Sequence, residues 1–175
     1  MPKVSIIIPV YGVEKYIERC ARSLFEQTLD DIEYLFIDDC TPDKSVEILK
    51  RVMEEYPHRK SQVVIHRMEQ NSGQAKVREW GMRNARGEYV IHCDSDDWVD
   101  VHMYEEMYNK AIEEDADVVI SGFEITNGFS VISVHITHYK SFNELCKGIL
   151  TGNISGALWN KLIRRSLLDY IKYPN

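Results

Sequence analysis

Within Ile91-His92-Cys93-Asp94-Ser95-Asp96-Asp97-Trp98, three carboxylates fall inside four residues, directly after an apolar run. Two unit charges about 5 Å apart repel by roughly 3 kcal/mol at an effective dielectric of about 20, so such a cluster calls for a cation or open water beside it. A polar turn capping the next helix would use one carboxylate, since Asp and Ser are good N-caps, but not three. A calcium loop of EF-hand type would put Asp94, Asp96 and Glu105 at its positions 1, 3 and 12, yet Trp98 and Val99 stand where an oxygen ligand and a glycine are required. The chemistry that fits is a divalent ion held by one or two carboxylates, with a ligand's diphosphate supplying further oxygens. Nucleotides cradled by glycine-rich loops do not fit, because the chain has neither G-x-G-x-x-G after its first apolar run nor G-x-x-x-x-G-K-[ST].

The elements that must position the cluster read as alternating strands and helices. Val4 to Val10 is the near-continuous apolar run of a strand buried on both faces. Ile17, Cys20, Ala21 and Leu24 then fall on one helical face, Tyr34 to Ile37 reads as a strand, and Asp38 to Asp43 as a turn. Val46, Leu49, Met53 and Tyr56 mark a second helix, Val63 to His66 a third strand, and Gly73 to Ala85 a third helix with Gly87 as its C-terminal cap. Glu88 to Cys93 is a fourth strand, leading into the acidic cluster. This alternation predicts an α/β fold, a mostly parallel sheet with helices on both faces. Ligands of such sheets sit beyond the carboxyl ends of the strands, which places Pro9 to Gly12, Asp38 to Thr41 and Asp94 to Asp97 on one rim.

Beyond the cluster, Tyr104, Met107, Tyr108 and Ala111 predict a helix and Val118 to Ile120 a strand. Phe129 to Ile136 reads as an antiparallel edge strand, and Ser141 opens an S-x-x-E capping box for a helix reaching Cys146 or just beyond. Leu158 to Tyr173 mixes basic and apolar residues without a clear period. With 44% hydrophobic and 28% charged residues in 175, the chain is expected to be one globular domain rather than disordered. A formal charge of -7 argues against general nucleic-acid binding, which needs a basic surface. The cysteines at 20, 40, 93 and 146 form no C-x-x-C pair, so free thiols in a reducing cytoplasm are expected. No apolar segment approaches the roughly 20 residues that span a bilayer, so any membrane association would be peripheral.

Four blocks carry a family resemblance: VSIIIPVYGVEKYIERCARSLFEQT, IEYLFIDDCTPDKSVEIL, NSGQAKVREWGMRNARGEYVIHCDSDDW and GALWNKLIRRSLL. In that order they resemble the inverting, nucleotide-sugar-dependent glycosyltransferases of family 2, whose fold is named GT-A. The resemblance implies a GT-A (Rossmann-like) domain, with residues 1–100 as the nucleotide-binding half and 101–175 as the start of an acceptor half. It implies that Pro9 and Tyr11 line the nucleoside pocket, the tyrosine ring against the base, with Glu14 nearby and Asp39 on the base or ribose. Arg78 matches a basic position that either approaches the diphosphate or supports the acidic cluster from below. Asp94-Ser95-Asp96 matches the D-x-D motif: Asp94 toward ribose or metal-bound water, Asp96 on the Mn2+ or Mg2+ that bridges the diphosphate. Trp159 and Lys161 belong to a W-N-K block on the acceptor side. The implied partners are a UDP-sugar donor and a saccharide or lipid-linked saccharide acceptor, in cell-surface polysaccharide synthesis.

Two departures bear on these roles. Cys40-Thr41-Pro42 replaces the family's usual Gly-Ser, and Gly12 replaces its usual Asn. After Trp159 the sequence holds one carboxylate side chain, Asp169, rather than the acidic pair that supplies the general base. A truncated acceptor half is therefore expected, and with it a competing reading as a donor-binding module without efficient transfer. A sugar-1-phosphate nucleotidyltransferase is disfavoured, because PVYGVEKY lacks the glycine-rich basic stretch that such chemistry needs after the first strand.

Overall fold

The computed structural model describes residues 1–126, 131–134 and 142–170. Its main sheet has six strands, in the order β3-β2-β1-β4-β8-β5. These are β1 (Val4–Val10), β2 (Ile32–Asp38), β3 (Val63–Arg67), β4 (Tyr89–His92), β5 (Val118–Ile120) and β8 (Lys161–Arg164). The pairs β1–β2, β1–β4 and β2–β3 are parallel, whereas β8 lies antiparallel to both β4 and β5. All strands but β8 therefore run one way, the GT-A arrangement that the sequence led us to expect.

The two-sided apolar character of β1, β2 and β4 has a direct structural cause. Side chains alternate across a strand, so Ile6, Ile8, Tyr34, Phe36, Tyr89 and Ile91 join one core cluster while Ile7, Leu35, Ile37 and Val90 join another. The first cluster is covered by α1 (Ile17–Phe25), α2 (Ser45–Glu54) and α4 (Met103–Glu113), which contribute Leu24, Leu49 and Met107 among others. The second is covered by α3 (Gln74–Asn84) through Val77. Helix α3 lies very close to the sheet: a Cβ on Gly81 would come within 2.5 Å of Ile7 Cγ2.

Several local readings differ from the sequence expectation. At Gly73, which opens the third helix, nothing lies within 4 Å of the Cβ direction, and the φ of +80° is what calls for glycine. Gly87 does not cap α3 with a left-handed turn. A Cβ there would lie 2.5 Å from the Ser5 amide nitrogen, and the Gly87 N–H donates to Ser5 Oγ. The acidic cluster does not cap α4 either: that helix begins at Met103, where Asp100 Oδ1 accepts from the His102 N–H at 2.8 Å.

The expected edge strand at Phe129–Ile136 is represented by β7 (Val131–Val134), which pairs with β6 (Phe123–Thr126) in a separate two-stranded sheet. Residues 129–130 and 135–136 lie outside the described residues, as does the Ser141 capping position. Helix α5 runs from Phe142 to Leu150. The antiparallel strand of the main sheet is instead β8, inside the segment whose period was unclear. Four residues with basic ends give too short a period to register as a strand.

Arg59 performs a structural task that the sequence did not announce. It is buried, and its guanidinium donates to the carbonyls of Phe25, Gln27, Leu29 and Asp30. It thereby satisfies the free acceptors at the C-terminal end of α1 and places a cation against the negative end of the helix dipole.

Candidate functional site

The carboxyl ends of β1, β2 and β4 open into a cleft of about 440 Å³, lined by Pro9, Tyr11, Asp39, Asp94, Ser95 and Asp96 together with Asn71, Gly73, Gln74 and Val77. Six of the residues singled out from sequence thus share one cavity. Register explains their convergence: Val10 pairs with Asp38, so β1 and β2 end level, while β4 ends earlier, at His92 opposite Ile7, and the residues after it, Asp94 to Asp96, come up beside the ends of the other two.

One lip is built by the turns after β1 and β2. Gly12, at φ +68°, donates its N–H to Thr41 Oγ1, and the Val13 N–H donates to Ser45 Oγ. Gly12 thus occupies a left-handed position, where Gly and Asn are the residues best accommodated, so its replacement of the family's Asn leaves the turn intact. Asp43, not singled out from sequence, ties these turns together. Its carboxylate accepts from Thr41 Oγ1, Ser45 Oγ, the Ser45 N–H and the Glu14 N–H. Burial opposes its ionisation, but these donors outweigh that and hold its pKa at about 2. Tyr11 stands at this lip with its side chain half exposed. Glu14 does not line the cleft; its carboxylate accepts from the Lys44 N–H at 3.2 Å.

Asp39 is buried and accepts from the N–H groups of Ser72, at 2.7 Å, and Gly73, at 2.9 Å. It therefore fixes the start of α3 while facing the cleft, and each oxygen retains a lone pair for a ligand donor. Asp38 turns away: it accepts from the Thr41 N–H and pairs with Arg67 at 2.6 Å. Cys40, which follows Asp39, has φ 58°, a strained conformation for a residue with a Cβ.

The opposite lip carries the acidic cluster, and its charges are separately handled. Asp94 Oδ1 accepts from Arg78 Nη2 at 2.6 Å, with both side chains mostly buried. Of the two roles open to Arg78 from sequence, the structure shows it supporting the cluster. Behind it lies His92, also buried; burial, and secondarily the Arg78 charge, push its pKa down to about 4, so the ring is neutral at pH 7. Among the described residues neither His92 Nδ1 nor Arg78 Nε has a hydrogen-bond partner.

The Asp96 carbonyl accepts from Arg19 Nη2 at 3.2 Å, and among the described residues no side chain engages the exposed Asp96 carboxylate. Asp97 faces a second cleft; partial burial there, then the charges of Asp96 and Asp94, raise its pKa above the usual carboxylate value. Ser95, between Asp94 and Asp96 in sequence, is buried.

Among the described residues no three His, Cys, Asp or Glu side chains are grouped to hold a metal on their own. The donor set at this lip still suits a hard divalent cation. Asp96 offers free carboxylate oxygens, and one Asp94 oxygen remains beyond its ion pair, the low protein ligand count typical where a diphosphate completes the shell.

The second cleft, of about 1230 Å³, shares Asp94 with the first and is lined by Trp98, Met107, Phe123 and Trp159 among others. Trp159 packs edge-on against Phe123, ring centroids 4.8 Å apart, and so forms part of its wall. Lys161 does not reach the cleft. Its buried ammonium donates to the carbonyls of Ser155 and Ala157 and to Asn160 Oδ1, holding that loop together.

The sequence profile described as Glycosyl transferase family 2 matches residues 5–171. The chain belongs to glycosyl transferase family 2. EpsH of Bacillus subtilis (strain 168) is 36% identical to this family 2 chain over 174 residues, covering 96% of it and 48% of EpsH. The uncharacterized glycosyltransferase EpsJ of the same organism is 41% identical over 124 residues, 70% of this chain and 34% of EpsJ. Among solved structures, S. aureus TarS 1-349 in complex with UDP-GlcNAc superposes with a TM-score of 0.76 at 26% identity, covering 95% of this chain and 46% of TarS 1-349. This family 2 chain spans less than half the length of each of these three relatives.

Proposed function

We propose that the first cleft binds a UDP-sugar with a divalent cation, and that the chain serves transfer of the sugar to an acceptor hydroxyl with inversion. The observation that carries this reading is the division of labour among the carboxylates. Arg78 neutralises Asp94 from below, whereas the Asp96 carboxylate is left free at the cleft mouth opposite Tyr11. Free negative charge beside a nucleoside-sized cleft fits a cation arriving with its diphosphate. The likeness to TarS, whose structure holds UDP-GlcNAc, supports UDP as the nucleotide.

In this reading Tyr11 stacks on the base, an interaction of about 1 to 3 kcal/mol. Asp39 accepts from the base or ribose, and Asp96 with Asp94 holds Mn2+ or Mg2+. Bound there, the cation supplies Lewis-acid stabilisation of the departing diphosphate. The acceptor oxygen, coming from the second cleft, bonds to the anomeric carbon as the bond to the diphosphate breaks on the opposite face. The leaving diphosphate takes the bonding pair, and the hydroxyl proton passes to a base on the acceptor side. Polysaccharide synthesis at the cytoplasmic face of a membrane is the proposed setting; no helix of the described residues is long and apolar enough to cross one.

Calorimetric titration of UDP, GDP and TDP, with and without Mn2+, tests the donor site. The expected result is Mn2+-dependent binding of UDP that weakens at least about tenfold in Asp96→Ala, a loss of about 1.4 kcal/mol. Absence of metal-dependent binding by all three would overturn the reading. Slow metal-dependent release of free sugar from the donor separates an enzyme from a pure binding module.

A further inference from the structure

Trp98 lies two residues beyond Asp96, on the turn whose Asp94 lines both clefts. It is 46% exposed and lines the second cleft, yet it is not loose. The Arg19 guanidinium lies 3.6 Å from its ring centroid, and the same group donates to the Asp96 carbonyl. Arg19 belongs to α1, so a rigid element sets the indole's orientation and ties it to the turn bearing Asp96. Cation–π contact accounts for one face of the ring. It leaves the rest of a large, immobilised aromatic surface open toward a cavity.

The neighbours of that surface define what it suits. Asp97 and Asp100 line the same cleft, and carboxyl oxygens accept hydrogen bonds from hydroxyl groups. A neutral sugar ring matches both features: its C–H face packs on the indole, and its hydroxyls donate to the carboxylates. The shared Asp94 makes the second cleft continuous with the first, as an attacking hydroxyl requires.

We propose that Trp98, clamped by Arg19, is the stacking platform for a neutral saccharide acceptor. This rests on the donor-cleft reading above. Arg19 is then a positioning residue that couples the turn at Asp96 to the acceptor side.

The test titrates the 175-residue chain with glucose, galactose, N-acetylglucosamine and their β-1,4 disaccharides, reading the sugar's own NMR signals, with UDP and Mn2+ present. A saturable change is expected with at least one sugar. Trp98→Leu should weaken that binding by about tenfold or more, and Trp98→Phe, which keeps an aromatic face, should restore most of it. Arg19→Leu should weaken it severalfold. Binding of UDP, read separately by calorimetry, should stay within about twofold in Trp98→Leu, because Trp98 does not line the first cleft. No saturable response to any sugar, or one that persists undiminished in Trp98→Leu, would overturn the platform while leaving intact a donor site that still binds UDP. Failure of wild type to bind UDP would instead strike the donor reading itself, and this inference with it.

Discussion

Arg78 is the residue on which the acidic lip depends. Its ion pair with Asp94 is mostly shielded from water, so removing the cation alone strands a partly buried carboxylate. Arg78→Met should lower stability by about 2 kcal/mol, and adding Asp94→Asn should recover part of it, giving a coupling of about 1 to 2 kcal/mol in a double-mutant cycle of urea unfolding. His92 behind it makes a pH-dependent contribution. Its folded pKa of about 4 lies below the usual 6.5, so the unfolded chain binds the extra proton first on acidification. Its contribution is complete above pH 6.5 and is lost as the pH falls toward 4, by an amount on the order of 3 kcal/mol. Unfolding measured without metal across that window should show the slope, and His92→Asn should flatten it. Much of the site was legible at this scale: Pro9, Tyr11, Asp39, Asp94, Ser95 and Asp96 follow strand ends, and a strand end fixes where its next residues go. Arg19, Arg78 and Asp43 were harder to place because their partners are set by helix packing and loop contacts. Arg19 meets the Asp96 turn only because α1 lies against it.

At the scale of elements, two glycines that look alike in sequence answer to different physics. Gly81→Ala drives a methyl into Ile7 across the α3–sheet interface and should cost about 1 to 3 kcal/mol by overpacking. Gly73→Ala meets open space but a φ of +80°, and should cost about 1 to 2 kcal/mol by backbone strain. Thermal unfolding distinguishes the origins when larger residues follow: valine at 81 should be far worse than alanine, whereas serine at 73 should match alanine there. The order and type of the first strands and helices were readable because both faces of β1, β2 and β4 are buried, which imposes unbroken apolar runs. The second half was less readable because β6 and β7 bury little; Ile125, Val131 and Ile132 remain exposed, so no alternation separates an inner from an outer face.

For the molecule as a whole, the first cleft and the larger second cleft share Asp94, and the turn at Asp94 to Trp98 contributes to the lining of both. The first four strands form a contiguous parallel block, and β5 joins that block only through β8. That arrangement imposes a schedule on the growing chain. When β5 leaves the ribosome its partner is still roughly forty residues away, a delay of a few seconds at about 5 to 20 residues per second. For that interval the outer edge of β4 is an open ladder of N–H and C=O groups, the kind of edge that recruits stray strands. Nascent chains stalled with residues up to 150 exposed should show β1 to β3 protected from proteolysis while Val118–Ile120 is cut; stalling with residues up to 170 exposed should protect both. Protection of β5 in the shorter chains would contradict this order. Synthesis therefore passes through a brief aggregation-prone stage, which ends when the late-made strand slots into the gap.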